Sequence, residues 1–164
     1  MNFDSQLTFK PASNLIKVGN PLLAEGMNDL LSDYNIFNQN VKSFHWNFIG
    51  PDFFDLHQKF GDLNQKLSKD IEKLADGILL TGFMPIQSNP EYLQYSTHKE
   101  ITGVKSDDQS VGFVISGLRE LIVACRKTAL KAKISEDIIS EKLLRQFCSE
   151  LENELWVFTM FAKY

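Results

Sequence analysis

A chain of 164 residues, 43% hydrophobic and 23% charged, is long enough for one domain with a full core and has a soluble globular composition. Its net charge of −4 argues against generic binding to nucleic acid. No window approaches a run of uncharged apolar residues long enough to span a bilayer, and the opening segment lacks a basic stretch followed by an apolar one. No membrane association or cleaved signal peptide is therefore expected, and the cytoplasm is the expected compartment.

Residues 1–20 show no clean period and read as an N-terminal arm; residues 21–164 read as one helical domain. From Pro21, Leu23, Met27, Leu30, Tyr34, Phe37, Val41, Phe44 and Phe48 recur at alternating spacings of four and three. That is one stripe of an amphipathic helix. Gly50-Pro51 breaks it, and Asp52 is placed to cap a second helix. The second stripe is Phe53, Leu56, Phe60, Leu63, Leu67, Ile71, Leu74 and Ile78, stopped at Gly82. Residues 83–105 are too long for a plain turn, and Glu91 to Ser96 is expected to form a short helix within them.

Ser106 followed by Asp107-Asp108 marks a third long helix, with acids at the positive end of its dipole and Lys127, Lys131 and Lys133 towards the negative end. Its stripe is Val111, Val114, Leu118, Leu121, Cys125 and Ala129. Ser135-Glu136-Asp137 repeats the start signal for a fourth, with Ile139, Leu143, Phe147, Leu151, Leu155 and Phe158 facing inward. Four long amphipathic helices, no strand pattern and one long connection predict an all-α, ferritin-like four-helix bundle, with the short extra helix between helices two and three. Cys125 and Cys148 fall within helical patterns and read as reduced core thiols, a disulfide or ligand role being the alternative.

The chemistry concentrates around the first turn. His45 and His57 lie at similar distances either side of Gly50-Pro51, so antiparallel helices bring them to one height. Glu72 and Asp76, at i and i+4, share one helix face. Glu72 follows His57 at roughly 22 Å along the helix axis. One chain does not easily bring all four groups to one metal, whereas two chains about a two-fold axis do. Each residue also has a plainer explanation: a structural histidine, or a solvated carboxylate paired with Lys69 or Lys73. Mixed imidazole and carboxylate donors suit iron or zinc. No Glu-x-x-His spacing occurs, so the usual di-iron site inside a four-helix bundle is not expected.

The run Phe44-His45-Trp46-Asn47-Phe48-Ile49-Gly50-Pro51-Asp52-Phe53-Phe54-Asp55-Leu56-His57 resembles the signature of the Dps family, the dodecameric mini-ferritins. The resemblance continues through Glu72-Lys73-Leu74-Ala75-Asp76, Gly82-Phe83-Met84-Pro85-Ile86, Glu91-Tyr92-Leu93 and Glu152-Asn153-Glu154-Leu155-Trp156-Val157-Phe158. It implies a homo-oligomer, a dodecameric shell, that oxidises Fe(II) to Fe(III), with hydrogen peroxide as the favoured oxidant, and stores ferric mineral. It implies a ferroxidase centre with His45 and His57 from one subunit and Glu72 and Asp76 from its two-fold mate. It also implies that Trp46 stands beside the site and takes up oxidising equivalents, with interface packing as the alternative. Asp137 and Glu141 correspond by position to the acids of the pore through which iron enters; dipole-favoured helix-start acids are the alternative.

Three departures accompany the resemblance. The family usually has Asp before Glu where this chain has Glu72 before Asp76. A further family carboxylate corresponds to Gly61, with Asp62 turned about 100° away around the helix. The lysine-rich tails of DNA-binding members are replaced by Lys10, Lys17 and Lys163 alone, so DNA binding is expected to be weak or missing. The competing readings are a DNA-protecting nucleoid protein and a structural mini-ferritin impaired in catalysis by Gly61.

Overall fold

The computed structural model describes residues 19–162. Four long helices, α1 (Pro21–Asn47), α2 (Phe53–Leu80), α4 (Asp107–Ile134) and α5 (Ile138–Phe161), pack as a bundle, with short α3 (Asn89–Tyr95) against α1. The expected extra helix is therefore present, starting two residues earlier than its sequence signal suggests. The arm falls outside the described residues up to residue 18. Asn20, however, caps α1: its side chain accepts from the Leu22 amide at 2.9 Å.

Contacts at the helix ends set the topology. The Ile49 amide donates to the Lys105 carbonyl at 3.1 Å, so α1 ends where α4 begins. The Thr128 hydroxyl faces the Gly26 carbonyl at the opposite end, which makes α1 and α4 antiparallel. The connection from α2 to α4 thus travels the length of the bundle. Its polar backbone needs partners there, and α1 supplies them. Buried Asn28 accepts from the Ile86 amide at 2.8 Å, buried Asp33 accepts from the Thr97 amide at 2.6 Å, and buried Asn40 donates to the Lys99 carbonyl at 2.9 Å.

All eight residues of the first predicted stripe are buried. The fourth stripe is partly misplaced: Ile139 is 69% exposed, and Leu144 rather than Leu143 is fully buried. Successive steps of four advance about 40° around a helix, so a run anchored on Phe147 has left the core face by Ile139. Start and stop signals also shift. Ser135 ends α4, Glu136 takes the left-handed conformation (φ 55), and the Asp137 amide donates back to the Ala132 carbonyl at 3.0 Å. Asp137, not Ser135, then caps α5. Neither Asp52 nor Ser106 makes a side-chain cap bond, although each occupies the cap position.

Candidate metal centre

Gly50-Pro51 folds α2 back on α1 so that His45, in the last turn of one, meets His57, near the start of the other. Their rings stack at 3.9 Å between centroids and 24° between planes, and Phe53 extends the stack, 5.1 Å from His57. Each ring is fastened by the other's backbone: His45 Nδ1 lies 2.8 Å from the His57 carbonyl and His57 Nδ1 lies 3.0 Å from the His45 carbonyl. A carbonyl only accepts, so both bonds require a protonated Nδ1. In a neutral ring that arrangement leaves Nε2 with a lone pair directed away from the backbone. A carbonyl bond behind the ring is how a metal-binding histidine is oriented. Both residues are half-buried, which keeps the pair ordered and open to a ligand.

Gly61 lies one turn beyond His57, against the same rings. A Cβ there would sit 3.2 Å from His45 Cε1 and 4.0 Å from its Nε2. A side chain at position 61 would therefore enter the space beside the imidazole edge, and this chain provides none. Neighbouring Asp62 does not replace it: its carboxylate accepts from Gln58 at 2.7 Å on the exposed face of α2.

Glu72 and Asp76 lie exposed on one face of the same continuous helix, roughly 22 Å or more along its axis from His57. Among the described residues, no three His, Cys, Asp or Glu side chains of one chain converge. The structure thus brings the two histidines together and keeps the carboxylates at the other end of α2. Lys73 reaches towards Asp70, 3.7 Å away, rather than forming the pair with Glu72 or Asp76 that the sequence allowed.

Trp46 follows His45 and is 62% exposed, with the Lys42 ammonium 5.0 Å above its ring. It belongs to an apolar end of the bundle that includes Ile49, at 72%, and Phe54, at 84%. Leu80, Ile134, Ile138 and Ile139 are exposed at the opposite end. The two acids assigned by resemblance to an iron pore already have local roles. Asp137 accepts from the Ser140 amide at 2.9 Å, and Glu141 pairs with Arg145 at 2.8 Å.

Sequence reasoning missed a buried charge network. Asp70, 1% exposed, accepts from Lys66 at 2.6 Å, and Lys66 also reaches Glu150 on α5 at 3.1 Å. Burial alone would lower the pKa of the Lys66 ammonium, but bonds to Asp70 and Glu150 outweigh it and hold that pKa above its ordinary value. The i, i+4 spacing of Lys66 and Asp70 was the available signal; that Asp70 faces inward was not visible.

The ferritin-like domain family model matches residues 24–163. A Haemophilus influenzae protein of uncharacterized function is 30% identical, covering 91% of this chain and 93% of its own. DNA protection during starvation protein 2 of Bacillus anthracis is 28% identical, covering 87% of this chain and 97% of its own. The chain belongs to the Dps family. Its fold is that of solved Dps structures. The Vibrio cholerae Dps protein, described as a member of a broad superfamily of ferritin-like diiron-carboxylate proteins, superposes with a TM-score of 0.84 at 28% identity, covering 91% of this chain and 99% of that one. The Dps protein of Bacillus brevis gives 0.83 at 28% identity, covering 85% and 94%. Among the described residues no helix is long and apolar enough to cross a membrane.

Proposed function

We propose that this Dps-family protein is an iron-storing ferroxidase shell whose oxidation sites are assembled across a two-fold axis. His45 and His57 come from one subunit, Glu72 and Asp76 from the other. The observation that carries the reading is the reciprocal lock of the two imidazoles, which turns both Nε2 atoms away from the backbone. Such a pair is half a ligand set. The axial separation along α2 means that only a second chain, running antiparallel, supplies the anionic half. The exposed Trp46, Phe54 and Leu80 are apolar surface that such an assembly would cover, and a closed dodecamer is the assembly we infer.

Iron is the substrate. Imidazole nitrogens suit Fe(II), and carboxylate oxygens favour Fe(III), which eases loss of the electron. Hydrogen peroxide is the inferred oxidant because it accepts two electrons: two Fe(II), one peroxide and two protons give two Fe(III) and two waters. Pairing the electrons avoids release of hydroxyl radical. Gly61 removes one anionic donor from the rim, so one metal position is weak or empty in the resting protein. Trp46, adjacent to His45, is placed to take up a stray oxidising equivalent. Asp137 and Glu141 remain candidates for guiding iron inward only in addition to their capping and pairing roles.

The relatives' names include DNA protection. For this chain we propose protection by removal of iron and peroxide rather than by a tail-borne grip on DNA, since the net charge is −4. The candidate tail lysines Lys10, Lys17 and Lys163 fall outside the described residues. A gel shift at about 150 mM salt without divalent metal should show no tight complex. The ferroxidase reading is tested by mixed shells. His45→Ala/His57→Ala and Glu72→Ala/Asp76→Ala shells should each lose peroxide-driven Fe(II) oxidation. Random one-to-one co-assembly should restore about a quarter of wild-type activity, because half the interfaces are mixed and each regains one of its two sites. No rescue in verified mixed shells would exclude a shared site.

A further inference from the structure

The mechanism above leaves both cysteines unused, and they meet between α4 and α5. Cys125 is fully buried on α4, and its thiol donates across to the Leu144 carbonyl of α5 at 3.1 Å. Cys148 is one helical turn after Leu144, and helical side chains lean back towards the N-terminus, which tips its sulfur towards that same carbonyl. Cys125 Sγ thus lies against the α5 backbone one helical turn from Cys148. Cys148 is half-buried and opens into a surface cavity of about 460 Å³ lined also by Arg126, Lys133, Arg145, Ser149 and Glu152.

We propose that Cys125 and Cys148 form a peroxide-oxidisable dithiol, with Cys148 as the attacking thiolate and Cys125 as the resolving thiol.

The two sulfurs have opposite environments. The Cys148 thiol is pulled below its ordinary value, first by the Cys125 thiol, with Arg126 and Arg145 adding to the effect against burial and Glu152. The Cys125 thiol is pushed far up, by Cys148 first and then by burial. The inner thiol keeps its proton, donated to the Leu144 carbonyl, while the outer sulfur, beside two guanidinium groups, is the one that loses its proton more readily. Thiolate character and access are what make a cysteine react with peroxide. The Cys148 thiolate attacks one oxygen of a hydroperoxide. The O–O bond breaks, giving a sulfenic acid and hydroxide, or an alkoxide from an organic peroxide. Cys125 sulfur then attacks the sulfenic sulfur. Its proton leaves with the departing hydroxyl as water, and a disulfide joins α4 to α5. One peroxide is reduced by two electrons and two thiols are oxidised, with no metal involved. The proposal does not rest on the iron reading.

The test uses the assembled protein, iron-free under chelator, in the His45→Ala/His57→Ala background so that any iron site is silent. One equivalent of hydrogen peroxide should remove both alkylatable thiols. Peptide mapping should find a 125–148 link within one chain. Cys125→Ala should accumulate a dimedone-trappable sulfenic acid at Cys148, and Cys148→Ala should leave Cys125 reduced. Cys148 should oxidise at least about tenfold faster than free cysteine at pH 7. Survival of both thiols through several equivalents would overturn the proposal, as would a disulfide between chains. Equal oxidation of Cys125 in the Cys148→Ala protein would overturn the assignment of the attacking sulfur.

Discussion

Gly112 and Gly117 lie in the same helix, yet alanine should have opposite effects at the two positions. An ideal Cβ at Gly117 would fall 2.3 Å from Phe37 Cε2 and 2.6 Å from its Cδ2. Phe37 is 2% exposed and packs, tilted, against His98 with 5.4 Å between ring centroids, so the ring has nowhere to retreat without disturbing the connection that α1 holds. Alanine brings a helix-propensity gain of about 1 kcal/mol over glycine. Overpacking of a tight core costs about 1–3 kcal/mol, and an overlap of more than 1 Å with a ring belongs at the top of that range. The net effect of Gly117→Ala should be a loss of about 1–2 kcal/mol. At Gly112 nothing lies within 4 Å of the added Cβ, so only the propensity gain of about 1 kcal/mol operates. For a chain of this length each kcal/mol moves the melting temperature by about 2–4 °C. Thermal unfolding of both variants and wild type, at one protein concentration and followed by circular dichroism, should show Gly117→Ala lower and Gly112→Ala higher. A Gly117→Ala protein as stable as Gly112→Ala would show that the α1–α4 contact is not packed as described.

Gly61→Asp should tighten Fe(II) or Co(II) binding by about tenfold, because it adds an anionic oxygen beside the imidazoles. Gly61→Ala, which meets His45 Cε1 at 3.2 Å without adding a donor, should not; calorimetry on assembled shells compares the two. Asp70→Ala should cost about 3 kcal/mol, near the lower end for a broken buried ion pair, since Lys66 keeps Glu150 as a partner; denaturant unfolding measures the loss. His98 is held below its ordinary value, by burial first and against the pull of Asp33 and Glu120. A group lowered in the folded state contributes stability above its unfolded value near 6.5, and that stability is lost as pH falls through the folded value. The melting temperature should therefore drop between pH 7 and pH 5, and His98→Gln should shrink the drop. An unchanged drop would rule His98 out as its source.

The sequence alone determined the helices, because burying one stripe imposes a period that is visible locally. It also set the turn at Gly50-Pro51 and, through it, the common height of His45 and His57. Their spacing from Glu72 and Asp76 followed from the rise of a single helix. What it left open were matters settled by distant partners. Asn28, Asp33 and Asn40 look like solvated polar residues until the long connection lies across them and takes their hydrogen bonds. Asp70 looks exposed until the bundle buries it and Lys66 bridges it to Glu150. Ile139 fits a run of fours but leaves the core as the helix turns away. The tautomer of the histidine pair is another such case, since each ring answers to the other residue's carbonyl. So is the meeting of Cys125 with Cys148, whose positions on separate helices acquire chemical meaning only where α4 and α5 pack. Periodicity reports which face of a helix is apolar. Which polar groups that face encloses, and in which protonation state, depends on contacts that only the assembled bundle creates.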